Sequence, residues 1–134
     1  MGLTDTEREI IVNLELEKSQ NTFFEMEYCM QGKLWNSAAN RLYYSMFHAI
    51  SALLISDGLS VKSHRGVMAL FGQNYVKSGL FTKEEGALFS DLVIMRDNAD
   101  YNCFYEADEE KLRPYVEPAR QLINKIKQYI SAKQ

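Results

Sequence analysis

Apolar residues recur at three- and four-residue steps along most of this chain, and this helical spacing constrains its fold more than any other feature. In residues 34–56 a broad apolar face is formed by Trp35, Ala38, Leu42, Met46, Ala49, Ile50 and Leu53. No segment alternates apolar and polar residues as a half-buried strand does. Two prolines and seven glycines in 134 residues supply few turns for a many-stranded sheet. The pattern predicts an all-α protein.

Capping residues and glycines divide the chain into five predicted helices. They span residues 4–31, 34–56, 63–78, 82–98 and 108–132. Thr4 or Asp5 can cap the first helix, and Thr82 the fourth, each threonine with a glutamate three residues on. In the last helix, Pro114 and Pro118 predict a kink or a late start near Pro114.

Short connections between these helices favour an antiparallel bundle. The chain has no internal repeat, low-complexity tract or linker. A chain of this length can bury a core of its own. We therefore predict that residues 1–134 form a single domain, an antiparallel bundle of four to five helices.

Composition and charge narrow the range of functions. The net charge of −3 and the pI near 5.4 indicate no general nucleic-acid-binding surface, so a phosphate site would be local. Cys29 and Cys103 form no CxxC pair, and His48 and His64 are widely separated, so we expect no metal site, disulfide or cofactor. No apolar run reaches the ~18 residues of a membrane span, and the acidic start does not resemble a signal peptide. We expect a cytoplasmic protein that does not bind membranes.

The predicted second helix carries a row of polar residues opposite its apolar face. Ser37, Arg41, Tyr44 and His48 stand at i, i+4, i+7 and i+11, which places them within ~60° of one another. One interpretation is a solvated face. Such a face usually carries lysine and glutamate, however, whereas arginine, tyrosine and histidine are typical of recognition and catalysis.

A second polar group stands where the fourth helix ends, in the stretch MRDNADYNCF. Arg96 and Asp100 are four residues apart, and Tyr101 follows. A helix-end ion pair is one explanation, but such a pair would contribute only ~0.2–0.5 kcal/mol. The more favourable order places the acid before the base, whereas here the arginine comes first. The alternative is that Arg96 binds a phosphate, which suits its planar guanidinium.

A compact basic patch lies in the stretch VKSHRG. Lys62, His64 and Arg65 stand at a predicted helix N-terminus, where free backbone amides favour an anion. Loop charges with a capping histidine explain the patch equally well. The chain contains no glycine-rich phosphate loop, HExxH motif or nucleophile elbow.

Three segments, in this order, resemble HEPN domains: AANRLYYSMFHAISALLISDGL, KSHRGVMALFGQNYVKSGL and RDNADY. They are most similar to an uncharacterised prokaryotic branch, and the resemblance covers residues from about 5 to 130. It implies a bundle of up to five helices that dimerises, with polar residues of both subunits facing a shared cleft. Many HEPN proteins are RNA-cleaving toxins or defence nucleases. Others pair with a minimal nucleotidyltransferase that acts as antitoxin and can modify a tyrosine of the HEPN chain.

The chain departs from the nuclease motif of that family, an arginine followed after four to six residues by histidine. Arg96 matches the arginine, but the next positions hold Tyr101, Asn102 and Cys103. Tyrosine, with a pKa near ~10 against ~6.5 for histidine, is a poor base at neutral pH. Losing a general base typically costs ~10²–10⁴ in rate. The motif therefore predicts a weak nuclease or none, unless another histidine enters the cleft.

We expect a HEPN-like homodimer whose cleft holds a nucleotide or RNA phosphate and which works with a nucleotidyltransferase partner in a toxin–antitoxin-like system. The expected ligand-binding residues are Arg41, Tyr44, His48, Lys62, His64, Arg96, Asp100 and Tyr101. Two alternatives stay open. In a metal-independent endoribonuclease toxin, Arg96 would stabilise the phosphorane and Tyr101 would orient the substrate, with His48 or His64 as the base. The other alternative is a purely structural protein-interaction bundle.

Overall fold

The computed structural model describes residues 2–133, and in this range it contains five α-helices and no strand. The helices are α1 (Asp5–Gln31), α2 (Trp35–Ser56), α3 (His64–Phe71), α4 (Lys83–Tyr101) and α5 (Glu109–Ala132). A π-helical segment, Gly72–Val76, continues directly from α3. The prediction of an all-α fold is confirmed. No helix within residues 2–133 has the length and apolar character needed to cross a bilayer.

Local capping sets where the helices begin and end, as the sequence predicts. Thr4 caps α1, and its hydroxyl accepts a hydrogen bond from the Glu7 amide at 3.1 Å while its own amide donates to the Glu7 carboxylate at 2.9 Å. Thr82 and Glu85 form the same capping box at the start of α4. Both boxes satisfy backbone donors that a helix start leaves free. Gly58, with φ of 82°, follows the end of α2.

The third predicted helix, residues 63–78, is α-helical only as far as Phe71. Beyond it the Lys77 amide donates to the Gly72 carbonyl at 2.9 Å, the five-residue spacing of a π-turn. This segment buries Tyr75, whose hydroxyl donates to Asp57 at 2.5 Å. The π-turn therefore accompanies a contact between distant parts of the chain, which local spacing does not predict.

The late start expected for the last helix is wrong. Asp108 caps α5, which begins at Glu109 and continues through Pro114 and Pro118 to Ala132. Each proline removes one backbone donor, and the rest of the helix keeps its hydrogen bonds. Its apolar face buries Leu112, Ala119, Leu122, Ile123, Ile126 and Ile130. Tertiary burial of this face outweighs the two lost hydrogen bonds.

The central helix is α2, which contacts all four other α-helices. It runs antiparallel to α1, and the buried Ser19 hydroxyl of α1 donates to the Ser45 carbonyl at 2.6 Å. It is also antiparallel to α4, because Tyr44 pairs with Arg96 and Asn40, one turn earlier, pairs with Asp100. The last turns of α4 therefore lie against the first half of α2, where both polar groups predicted from the sequence stand.

Candidate functional site

Arg96 of α4 lies at the centre of a polar and aromatic cluster, with only 17% of its side chain exposed. Its Nη2 donates to the Tyr44 hydroxyl at 2.8 Å and, more weakly, to the Tyr101 hydroxyl at 3.4 Å. Its Nη1 donates to Asp97 at 3.1 Å. The guanidinium carbon is 5.4, 5.3 and 5.3 Å from the ring centres of Tyr43, Tyr44 and Tyr101. Three aromatic faces therefore hold this cation in place.

Asp100 and Asn40 connect Arg96 to the second arginine, Arg41. Arg96 Nε lies 3.1 Å from Asp100 Oδ2, an ion-pair distance, yet its N–H is not aligned to make a hydrogen bond. The same Oδ2 accepts from Asn40 Nδ2 at 2.8 Å. Asn40 Oδ1 in turn accepts from Arg41 Nε at 3.0 Å and Nη2 at 2.6 Å. Since Arg41 also lies 5.5 Å from the Tyr44 ring centre, both arginines contact one tyrosine.

His64 approaches the same tyrosines from the start of α3. The cap of α3 is Ser63, not the histidine, because the Ser63 hydroxyl accepts from the Gly66 amide at 2.9 Å. The His64 ring stacks on Phe47 with 4.3 Å between ring centres. Its Nδ1 is 2.7 Å from the Tyr43 hydroxyl. Aromatic stacking and this hydrogen bond therefore fix the orientation of the imidazole.

His48 of α2 lies on the side of the cluster next to α1. Its Nδ1 is 2.8 Å from Glu15 Oε2 of α1, and 17% of the His48 side chain is exposed. Its ring centre is 5.5 Å from that of Phe47 and 6.3 Å from that of Tyr44. The two histidines thus lie beside the same pair of aromatic rings, although they come from different helices.

Most of the residues that the sequence analysis selected meet around Tyr44. We call this group the Arg–His cluster; it comprises Arg41, Tyr44, His48, His64, Arg96, Asp100 and Tyr101. Lys62 is exposed in the loop before α3 and makes no hydrogen bond or ion pair with any residue in the range 2–133. Ser37 and Arg65 are also exposed. All three residues of the basic patch are exposed. His64 alone also contacts the aromatic rings, through Phe47 and Tyr43.

Several contact residues were not predicted from the sequence, among them Asn40, Glu15, Tyr43 and Phe47. Asn40 and Glu15 act through partners 60 and 33 positions away in the chain, and no local spacing indicates such pairs. Tyr43 and Phe47 lie next to selected residues of α2. Their aromatic character was the available signal, but it is equally typical of a core.

Burial and neighbouring charges set the protonation of the cluster. Burial disfavours the charged form of Arg96, but Tyr44 and the nearby carboxylates outweigh this and raise its pKa. Burial, followed by the charges of Arg96 and His48, lowers the pKa of His64. Burial raises the pKa of Tyr43 to about 12. At neutral pH the cluster therefore presents a fixed cation, a neutral imidazole at His64 and a protonated phenol at Tyr43.

The cysteines and acidic residues do not assemble a metal site in the part of the chain that the structure describes. Within residues 2–133, no group of three or more His, Cys, Asp or Glu side chains is placed to hold a metal ion. Cys29 is half-buried, Cys103 is exposed, and both are free thiols. The groups that the Arg–His cluster offers a ligand are therefore guanidinium, imidazole and phenol.

Known proteins resemble the chain over most of its length. The sequence model of the HEPN domain matches residues 12–129. A UPF0332 protein of Thermotoga maritima is 30% identical over 92% of this chain and 94% of its own. "Putative toxin MJ0142" of Methanocaldococcus jannaschii is 26% identical over 88% of this chain and 80% of its own. "Putative toxin MJ0605" of the same organism is 28% identical over 84% of this chain and 83% of its own. The chain belongs to the HEPN domain family.

Proposed function

We propose that this chain is a toxin-like HEPN protein whose Arg–His cluster binds the phosphate group of a nucleotide or of RNA. The observation that carries the proposal is Arg96, a largely buried arginine held by three tyrosine rings beside a second arginine and two histidines. The toxin names of two relatives support the same class of function. Guanidinium binds phosphate in a two-pronged geometry that lysine does not offer.

A phosphate can reach Arg96 without disrupting the core. Asp97, which occupies Nη1, is exposed, and Tyr101 is 74% exposed. An exposed ion pair such as Arg96–Asp97 contributes only ~0–1 kcal/mol, whereas a hydrogen bond to a charged group contributes ~1.5–3 kcal/mol. A bound phosphate therefore replaces weak contacts with stronger ones.

The proposal includes a homodimer and a nucleotidyltransferase partner, as the family resemblance implies. An exposed apolar row on α1 supports self-association: Ile10, Leu14, Phe24 and Tyr28. At ~100° per residue these side chains fall within ~80° of one another. Exposed apolar residues grouped on one helix face are typical of interaction surfaces. Light scattering of the purified protein tests the dimer.

Binding of a labelled single-stranded RNA at fixed salt tests the phosphate site. Replacing Arg96 with alanine should weaken binding about 10- to 100-fold, since it removes one or two charge-assisted hydrogen bonds. Arg96→Lys should recover only part of the loss. Arg113→Ala is the matched control, because this arginine is exposed and, within residues 2–133, pairs only with Glu109 on α5. If the parent and Arg96→Ala are both folded and bind RNA with equal affinity, the phosphate site at Arg96 is refuted. The purely structural bundle would then remain as the alternative.

A second candidate function, a metal-independent endoribonuclease toxin, is favoured by the positions of His48 and His64. Position 101 lacks the motif histidine, yet both imidazoles flank the rings that hold Arg96. RNA cleavage needs a base for the 2′-hydroxyl and a cation for the phosphorane. Total cellular RNA should be cut without metal by the parent and left intact by Arg96→Ala and His48→Ala. Intact RNA with folded parent protein would reject this candidate.

A further inference from the structure

We propose that Glu15 and Tyr43 are positioning residues that hold His48 and His64 in opposite tautomers. His48 then presents an unprotonated Nε2 to a ligand, and His64 presents a protonated Nε2. One ring serves as the proton acceptor of the Arg–His cluster and the other as a hydrogen-bond donor. The tautomers follow from contacts within the chain, whereas their use on RNA rests on the ribonuclease candidate above.

The contact between Glu15 and His48 determines which nitrogen of His48 carries the proton. An ionised carboxylate only accepts hydrogen bonds. Since Glu15 Oε2 lies 2.8 Å from His48 Nδ1, the proton of the neutral ring must be on Nδ1. The second nitrogen, Nε2, then keeps its lone pair. A carboxylate that orients a histidine in this way is a recurring arrangement for a general base.

The contact between Tyr43 and His64 determines the opposite tautomer. Tyr43 is only 1% exposed, and within residues 2–133 its hydroxyl hydrogen-bonds to His64 Nδ1 alone, at 2.7 Å. If Nδ1 were the donor, the hydroxyl proton would be buried without an acceptor, at a cost of ~1–3 kcal/mol. Burial keeps the phenol protonated by raising its pKa to about 12. The phenol therefore donates to Nδ1, and the proton of the neutral His64 ring is on Nε2.

The surrounding charges favour this division of roles. Burial, then the charge of Arg96 and that of His48 when it is protonated, lowers the pKa of His64 against the opposing charge of Asp97. A neutral His64 can donate a hydrogen bond through Nε2 without the strong hydration of an imidazolium ion. Arg96 supplies the fixed positive charge beside both rings.

On an RNA substrate the two rings would take different parts in one cleavage. His48 Nε2 takes the proton of the 2′-hydroxyl while that oxygen forms a bond to phosphorus, and the Nε2–H of neutral His64 donates a hydrogen bond to a phosphate oxygen. The bond from phosphorus to the 5′-oxygen breaks, and the 5′-oxygen takes a proton from water. The products are a 2′,3′-cyclic phosphate and a 5′-hydroxyl, with His48 protonated and His64 unchanged. The hydroxide left by the water then takes the proton from His48 Nε2 and restores that ring.

Two-bond ¹H–¹⁵N spectra of the untagged, ¹⁵N-histidine-labelled protein measure the tautomers directly. The chain contains only two histidines, so His64→Ala assigns both rings. The spectra are recorded at pH about 8.5, two units above the ordinary histidine pKa of ~6.5. We expect one ring protonated at Nδ1, His48, and one at Nε2, His64. Two rings in the same tautomer, or the reverse assignment, would overturn the proposal.

Variants of the two positioning residues supply the matched comparison. Glu15→Leu should convert His48 to a mixture of tautomers, while Glu15→Gln, which keeps an acceptor oxygen, should retain the Nδ1-protonated form. Tyr43→Phe should likewise convert His64 to a mixture of tautomers, with little change in packing. Far-ultraviolet circular dichroism confirms that each variant is folded. An unchanged His48 spectrum in folded Glu15→Leu would refute the role of Glu15.

RNA cleavage by the same proteins separates this proposal from the function on which its use rests. If the parent cleaves RNA, Glu15→Leu should lower the rate on the order of 10²-fold, and Glu15→Gln should restore part of it. The expected tautomers with intact RNA would support the positioning roles and reject the ribonuclease. RNA cleavage by a parent whose histidines are not in the expected tautomers would support the ribonuclease and reject the positioning roles.

Discussion

Replacing Arg96 with alanine should destabilise the bundle as well as weaken phosphate binding, because the arginine joins α4 to α2 in the absence of any ligand. Its guanidinium donates to Tyr44 across the helix interface at 2.8 Å and lies over three aromatic rings. With 17% of its side chain exposed, most of these contacts are shielded from water. A loss of binding in this variant therefore needs a stability measurement beside it.

The contacts of Arg96 set the size of the effect. A hydrogen bond to a charged group contributes ~1.5–3 kcal/mol, and each partly exposed cation–π contact adds ~0.5–1 kcal/mol. The ion pair with exposed Asp97 adds little, and removing the guanidinium recovers its desolvation cost. We expect the free energy of unfolding to fall by about 2–3 kcal/mol. At roughly 3–5 °C per kcal/mol for a chain of this length, the melting temperature should fall by about 6–15 °C.

Urea unfolding followed by circular dichroism at 222 nm measures this change. The slope against urea should stay constant, since the variant exposes nearly the same surface on unfolding. A double-mutant cycle with Tyr44→Phe isolates the hydrogen bond, for which we expect a coupling energy of ~1–2 kcal/mol. Arg113→Ala, which breaks only an exposed i,i+4 pair on α5, should stay within ~0.5 kcal/mol of the parent.

A change below ~0.5 kcal/mol for Arg96→Ala would refute this reasoning. It would mean that the guanidinium is as well accommodated by water as by the three rings. A large change with no coupling to Tyr44 would keep the destabilisation but assign it to the stacking contacts.

The same unfolding assay tests two further expectations. Burial opposes ionisation of the Asp57 carboxyl, but its hydrogen bonds with Lys133 and Tyr75 outweigh burial and lower its pKa. The lowered pKa stabilises the folded protein. That stabilisation is complete above the unfolded pKa of ~3.9 and is lost as the pH falls through the folded pKa. Asp57→Asn should therefore lower stability at pH ~7 and flatten its decline in acid, and an unchanged acid limb would contradict the pairing. Gly72→Ala should stabilise by ~0.4–1 kcal/mol, because Gly72 has helical φ and free space around it. Gly79→Ala should destabilise by ~1 kcal/mol or more, because φ of Gly79 is +87°. Equal effects of Gly72→Ala and Gly79→Ala would argue against this backbone geometry.

The features that the sequence predicted correctly are those that local physics decides. Thr4 and Thr82 cap their helices through side chains only three residues away, and Gly58 adopts the left-handed turn that ends α2. The predicted span of the last helix, 108–132, matches α5 with Asp108 as its cap. Only the alternative of a late start near Pro114 was wrong, because proline is a strong local signal while burial of the helix's apolar face depends on the rest of the bundle. The π-helical segment was missed for the same reason.

The candidate site was partly predictable because one helix face can be read from residue spacing. Arg41, Tyr44 and His48 share the face of α2 that the periodicity assigns to them. The partners that orient these side chains could not be read in this way. Glu15 reaches His48 from α1, and Asn40 joins Arg41 to Asp100 of α4. These pairings depend on how the helices are packed.

If the chain is a ribonuclease, the absence of histidine after Arg96 means that other helices must supply the base. Tyr101 occupies the first motif position, and its hydroxyl is 3.4 Å from Arg96 Nη2, so it can orient a ligand but is a poor base. The imidazoles come instead from α2 and from the start of α3. A motif search along the sequence rejects a nuclease because it requires one spacing between two residues. Catalytic groups need only converge in space, and around Tyr44 an arginine and two histidines do so. Under the ribonuclease candidate, proton transfer would therefore run through His48 and His64 and not through the motif position after Arg96.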